Sequence, residues 1–199
     1  MSGGHLLPAL ILAMLGSIVL GMGLPTTAAY IIMATLGAPA LIKMGVLPMA
    51  AHLYVFYFAI ISAITPPVAL AAYCGAAIAE ANVNKTAYAA MKVAAAGFVV
   101  PYMFVYSPQL LLVGTTFAIL QGIVTATIGV VALSAGAIGF MNTRLALWQR
   151  GLLVGSALTL IKGGISTDLL GLALLAVVVL TQHVKRPDKA TGVEVTGKK

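Results

Sequence analysis

Three threonines beside breaks in otherwise apolar helix are the residues whose types and spacing allow chemistry in this sequence. Thr26 and Thr27 follow Gly21-Met22-Gly23-Leu24-Pro25, and Thr65 precedes Pro66-Pro67. The first group sits in a run with no Asp, Glu, Lys or Arg before Lys43. Glycine raises the entropic cost of a helix and proline removes an N–H donor, so both groups should interrupt it. Each proline also drives the residue before it out of the α region. In hydrocarbon the freed N–H and C=O groups are costly unless paired. Such a break survives only inside protein or beside a polar cavity, where released carbonyls and hydroxyls can hold an ion.

Sodium is a hard cation, and unwound carbonyls with threonine hydroxyls supply oxygens to it without a buried formal charge. The carbonyls of Gly21, Gly23 and Ile64 and the hydroxyls of Thr26 and Thr65 are the candidate sodium ligands. Helices restarting at Thr27-Ala28 and Val68-Ala69 would aim positive N-terminal partial charge at the same place. That marks Thr26, Thr27, Pro67 and Val68 as candidate contacts for an anionic substrate. Thr26 or Thr27 is also the expected side-chain cap of the second helix. Two kinks that only bend helices for packing are the competing reading; their recurrence, each with threonine on the break, favours a transport site.

Enzyme chemistry finds little support. The acids Glu80, Asp168, Asp188 and Glu194 are not paired at helical spacing within a crossing. His5, His52 and His183 lack metal-ligand spacing, and Ser17 and Ser62 have no nearby base in sequence. Asp168 alone borders an apolar segment, where an N-cap or first-turn role is expected. Cys74 is the only cysteine, which excludes an internal disulfide. No cofactor is implied beyond sodium as coupling ion.

Composition places these elements in a bilayer. Only 8% of residues are charged and 61% are hydrophobic, whereas a soluble domain carries roughly a quarter charged residues. With 199 residues there is room for about five to seven crossings or half-crossings of ~20 residues. The formal charge of +7 fits basic residues collected in cytoplasmic loops. No basic patch with interleaved aromatics suggests nucleic acid. The start, Met1-Ser2-Gly3-Gly4-His5, has no basic n-region for a cleavable signal.

The elements that must position the threonines follow in order. Arms Leu6–Leu20 and Ala28–Leu41 flank the first break, and their half-membrane lengths favour a re-entrant hairpin over one crossing helix with an unwound centre. The hairpin spans 6–41, a broken helix spans 48–82 and a transmembrane helix spans 86–106, together a transport-type repeat over 1–106. Further transmembrane helices fill 107–183, and 184–199 reads as a polar cytoplasmic tail. With both hairpin ends outside, Lys85, Arg144, Arg150 and the tail fall inside, as the positive-inside rule expects. The fold class is an all-α integral membrane protein.

Gly21-Met22-Gly23-Leu24-Pro25-Thr26-Thr27-Ala28-Ala29-Tyr30, followed by Ile64-Thr65-Pro66-Pro67-Val68-Ala69, resembles the large membrane subunit of TRAP (tripartite ATP-independent periplasmic) transporters. Pro101-Tyr102-Met103-Phe104-Val105-Tyr106-Ser107-Pro108 and the segments after it look like the fused small/large-subunit, TAXI-associated permease. The motif match covers roughly residues 10 to 110, and the rest matches mainly in layout. The resemblance implies an elevator-type carrier with inverted repeats, of which this chain matches the second, so it reads as the C-terminal part of a longer transporter. It further implies sodium-coupled symport of a carboxylate across a bacterial or archaeal inner (plasma) membrane. The implied partners are a TAXI-type periplasmic solute-binding protein, the remaining transporter half or small membrane subunit, and lipid. A non-transporting fragment or scaffold membrane protein is the alternative.

Overall fold

The computed structural model describes residues 5–161 and 164–184, and helices dominate them. The tail beyond Val184 and the Lys162-Gly163 pair lie outside the described residues. Four helical stretches among the described residues are long and apolar enough to cross a membrane: Leu6–Gly23, Thr26–Lys43, Val83–Tyr106 and Thr116–Ile138.

Helix α1 (Leu6–Gly23) and helix α2 (Thr26–Lys43) are joined by Leu24-Pro25 alone. Leu24 is extended (φ −126°, ψ 152°). Gly16, seven residues before the end of α1, faces the Met33 side chain, seven residues after the start of α2. The chain therefore doubles back as a helical hairpin with its tip at Pro25. The expected break at Gly21 and Gly23 is narrower than the sequence suggests, because helix continues through both glycines. A glycine costs only about 1 kcal/mol in a helix interior, whereas proline removes a donor and crowds the preceding turn. Pro25 is also the N-cap of α2, which has no side-chain cap, so neither Thr26 nor Thr27 caps it. Each arm has 18 residues, about 27 Å at 1.5 Å per residue. Arm length therefore does not separate a re-entrant hairpin from two crossings, contrary to the half-membrane estimate.

Helix α3 (Pro48–Ile61) opens on proline at N1 and packs against both hairpin arms. Its buried Tyr54 hydroxyl donates to the Leu10 carbonyl at 2.9 Å, and Tyr54 and Phe58 stack edge-on with each other. Leu10, Ile18, Met33, Leu41, Val55 and Phe58 form the core of this half. The chain then tightens into a 3-10 turn (Ser62–Ile64), runs irregularly to Ala69, and resumes as α4 (Leu70–Ile78).

Helix α5 (Val83–Val93) starts on Asn82, whose side chain accepts from the Lys85 N–H. The segment 86–106 is not one continuous α-helix. A 3-10 stretch (Ala94–Phe98) separates α5 from α6 (Val100–Tyr106), because Pro101 cannot donate to the turn before it.

The remaining helices, α7 (Thr116–Ile138), α8 (Leu147–Ile161) and α9 (Ile165–Val184), form a second packed unit. Small residues set its seams, as expected where apolar lipid gives helices little hydrophobic drive to associate. Arg150 donates to the Gly136 and Ala137 carbonyls at 2.8 and 3.0 Å and so caps the end of α7. At that end Gln149 and Gln182, each 1% exposed, bond to one another, and Gln182 Oε1 accepts from Thr143. Ser156 donates to the Gly171 carbonyl at 2.7 Å, fixing α8 against α9.

A Cβ at Gly171 would meet Leu160 Cγ at 2.6 Å and Thr159 Oγ1 at 2.8 Å, whereas one at Gly155 would meet nothing within 4 Å. Gly171→Val is expected to destabilise the protein by about 1–3 kcal/mol through overpacking. Gly155→Ala should leave stability unchanged or slightly raised; thermal unfolding in detergent checks both.

Candidate functional site

The two interruptions come together around one cavity of about 160 Å³. Its lining includes Gly21, Met22, Pro25 and Thr26 from the hairpin tip and Ser62, Ala63, Val68 and Leu70 from the broken helix. Of the residues expected to form a site, Gly21, Thr26 and Val68 therefore share this space. Gly23, Thr27, Ile64, Thr65 and Pro67 are not in its lining. Pro66 and Pro67 instead line a separate, wider cavity with Tyr73, Asn84, Ala87 and Tyr88, and the Tyr73 hydroxyl donates to the Pro67 carbonyl at 2.6 Å.

Close approach of backbones makes the junction. An added Cβ at Gly21 would collide with the Ser62 side chain and lie 2.8 Å from the Ala59 carbonyl oxygen. Glycine is thus required at position 21 by proximity and not by a special φ. Ser62 is buried and donates its hydroxyl proton to that same Ala59 carbonyl at 2.6 Å. A hydroxyl with its proton so committed keeps lone pairs to offer. The Thr65 hydroxyl likewise donates to the Ile61 carbonyl at 2.8 Å, and the Thr65 N–H donates to the Ser62 carbonyl at 3.1 Å.

The backbone accounting around the break identifies further oxygens. In a continuing helix the Ala63 carbonyl would accept from residue 66 or 67, but both are prolines without an N–H. Ile64 loses its nearer partner, residue 67, for the same reason. Ala63 lines the cavity and Ile64 does not. Ala63 and Ser62 lie outside the sequence expectation, which rests on Thr65 as the hydroxyl adjacent to the prolines. For Ala63 the sequence signal is the missing N–H at both Pro66 and Pro67, three and four residues on.

The helix starts supply the opposite polarity. The first N–H groups of a helix have no intrahelical partner. Neither α2 nor α4 has a side-chain cap, and Thr26 and Leu70, their first residues, both line the cavity. The second restart falls at Leu70, two residues beyond the expected Val68. Ala69, fully buried at φ 35°, ψ 45°, makes the turn into α4, and its N–H donates to the Thr65 carbonyl at 3.2 Å. A left-handed alanine costs roughly 1–2 kcal/mol, which the surrounding packing holds in place.

Among the described residues there is no group of three or more His, Cys, Asp or Glu that could hold a metal ion. Among the same residues, the lining of the hairpin cavity contains no Asp or Glu. The His52 ring meets the Tyr30 hydroxyl at 3.1 Å.

Residues 1–119 match the family described as tripartite ATP-independent periplasmic transporter, DctM component. The chain belongs to this family. Both halves of the cavity fall within the matched residues. No curated protein and no solved structure matches significantly. Membership, with the four apolar helices, makes this a multi-pass membrane protein and a TRAP transporter permease component for solute transport, in a family of permeases rather than enzymes. TRAP permeases work with a periplasmic binding protein and a partner subunit.

Gly21→Ala is expected to push the hairpin tip from the broken helix and to destabilise by about 1–3 kcal/mol. Gly23→Ala, with nothing within 4 Å of the added Cβ, should not. Thermal unfolding of the two variants, with cysteine cross-linking between positions 22 and 63, reads the difference.

Proposed function

We propose that this chain carries part of a sodium-coupled secondary transport site for an organic anion, a carboxylate, in an inner-membrane TRAP permease. The reading rests on one observation: the end of α1, the start of α2 and the break between α3 and α4 line a single cavity. Sodium sits against the Gly21 and Ala63 carbonyls and the Thr26 and Ser62 hydroxyls. The substrate carboxylate sits against the N–H groups that begin α2 and α4, with Val68 as wall. Oxygens without formal charge suit a monovalent ion, and helix N-termini suit an anion beside it. Binding both at once neutralises the cargo before it passes through the low-dielectric interior, which is the physical basis of coupling.

In this reading α1 and α2 form a re-entrant hairpin whose tip gates the site, and the hairpin moves with the broken helix as an elevator-type carrier. A TAXI-type binding protein delivers the substrate from the periplasmic side. The Pro101–Pro108 stretch and the helices after α6 are consistent with the fused subunit arrangement from which that pairing follows.

The test uses the complete transporter in vesicles with its binding protein and a panel of small carboxylates. Thr26→Val should raise the sodium concentration for half-maximal uptake by roughly tenfold, the equivalent of about 1.4 kcal/mol, while Thr26→Ser stays near wild type. Uptake that is independent of sodium, or that keeps the wild-type sodium dependence in both Thr26→Val and Ser62→Ala, contradicts the proposal.

A further inference from the structure

A second cavity, of about 120 Å³, lies in the C-terminal unit, between the loop after α6 and helices α7, α8 and α9. Its polar lining is Ser107, Gln109, Gln121, Thr125 and Asp168. Asp168 and Gln121 lie beyond the residues matched by the family.

Asp168 occupies the first turn of α9 and is only 5% exposed. Its Oδ2 accepts from Gln121 Nε2 at 2.9 Å, but its Oδ1 is buried with no hydrogen-bond partner. Compensation of the helix dipole explains an acid at this position, but not an oxygen sealed away without a partner. A buried carboxylate oxygen left unpaired is costly, and ionisable groups among membrane helices mark ion or proton sites. The buried glutamines at the opposite end of the same helices are, by contrast, bonded to each other and to neighbouring groups.

The two hydroxyls of the lining are committed as acceptors. The Ser107 hydroxyl donates to the Ile161 carbonyl at 2.7 Å, and Thr125 donates to the Gln121 carbonyl at 3.0 Å. Gln121 holds its amide nitrogen against Asp168, and its side-chain carbonyl remains an acceptor. Lone pairs around a carboxylate fit a cation and repel an anion. Among the described residues the lining holds no Lys, Arg or His and no second acid. One negative charge with neutral oxygens matches a monovalent ion; calcium takes six to eight oxygens, commonly from several carboxylates.

We infer that this cavity binds a monovalent alkali cation, with Asp168 supplying the charge and Gln121, Ser107 and Thr125 the neutral oxygens. The ion ties α7 to α9 at the end of the bundle away from the Gln149–Gln182 pair. It is separate from the hairpin cavity, whose lining contains no carboxylate.

That difference makes the test specific. Infrared difference spectra of the purified full chain in lipid nanodiscs are recorded on exchanging choline chloride for sodium or potassium chloride at constant ionic strength. The wild type should show a saturable change in an aspartate carboxylate band. The change should vanish in Asp168→Asn and persist in Thr26→Val. It should move to a glutamate carboxylate band in Asp168→Glu, and in Gln121→Leu it should need a roughly tenfold higher ion concentration, as loss of one ligand worth about 1.4 kcal/mol requires. No response of the wild type to either alkali ion overturns the inference, and this holds even if Asp168→Asn does not fold. A response to pH alone overturns it in favour of a proton site. A response seen only in Lys162→Gln overturns it in favour of a lysine–carboxylate pair.

Discussion

Every backbone N–H and C=O released within an apolar helix must find a partner inside the protein, and this constraint organises the molecule. Pro25, Pro66 and Pro67 each remove a donor and so strand carbonyls one turn earlier. The fold answers by bringing the stranded groups together. The hairpin tip packs on the broken helix closely enough that only glycine fits at position 21. Hydroxyls of Ser62, Thr65 and Tyr73 take up neighbouring carbonyls. Residues bordering both breaks, Gly21, Thr26, Ala63 and Leu70 among them, line one small cavity, which is what makes it a candidate for ions instead of a mere kink.

The same rule operates in the C-terminal unit with side chains in place of backbone. Gln149 and Gln182 complete one another's hydrogen bonds at one end, and Arg150 closes the last turn of α7. Asp168 at the other end is satisfied on one oxygen only. Small residues let the helices approach closely enough for these long-range pairs to form, as at Gly136 and Gly171.

Much of the architecture was legible in the sequence because it follows from local chemistry. Hydrophobic run lengths announce membrane helices, and prolines announce breaks, so the α-helical class and the position of the two interruptions emerge without coordinates. The extent of each break was not legible. Gly21 and Gly23 look like helix breakers, yet the helix tolerates them because their cost is small beside the packing available. Pro66 and Pro67 look like a point lesion, yet the disturbance runs from Ser62 to Ala69, since proline acts on the residues before it and a left-handed Ala69 is needed to restart the helix. The pairing of Gln121 with Asp168, 47 residues apart, leaves no local trace at all. Of the candidate site, the shared location of Gly21, Thr26 and Val68 could be anticipated, while Ala63 emerges from counting lost N–H partners and Ser62 only from its close approach to Gly21 beside the cavity.

The central claim is that the N–H groups opening α2 and α4 and the oxygens between them belong to one ligand site. Amide hydrogen exchange of the assembled transporter, with sodium and substrate against choline alone, tests it directly. The account predicts slowing by roughly tenfold or more at Thr26–Ala28 and at Leu70–Ala72 together, because a ligand that binds only the closed arrangement stabilises both segments. Protection confined to one of the two segments, or none in either, would contradict it.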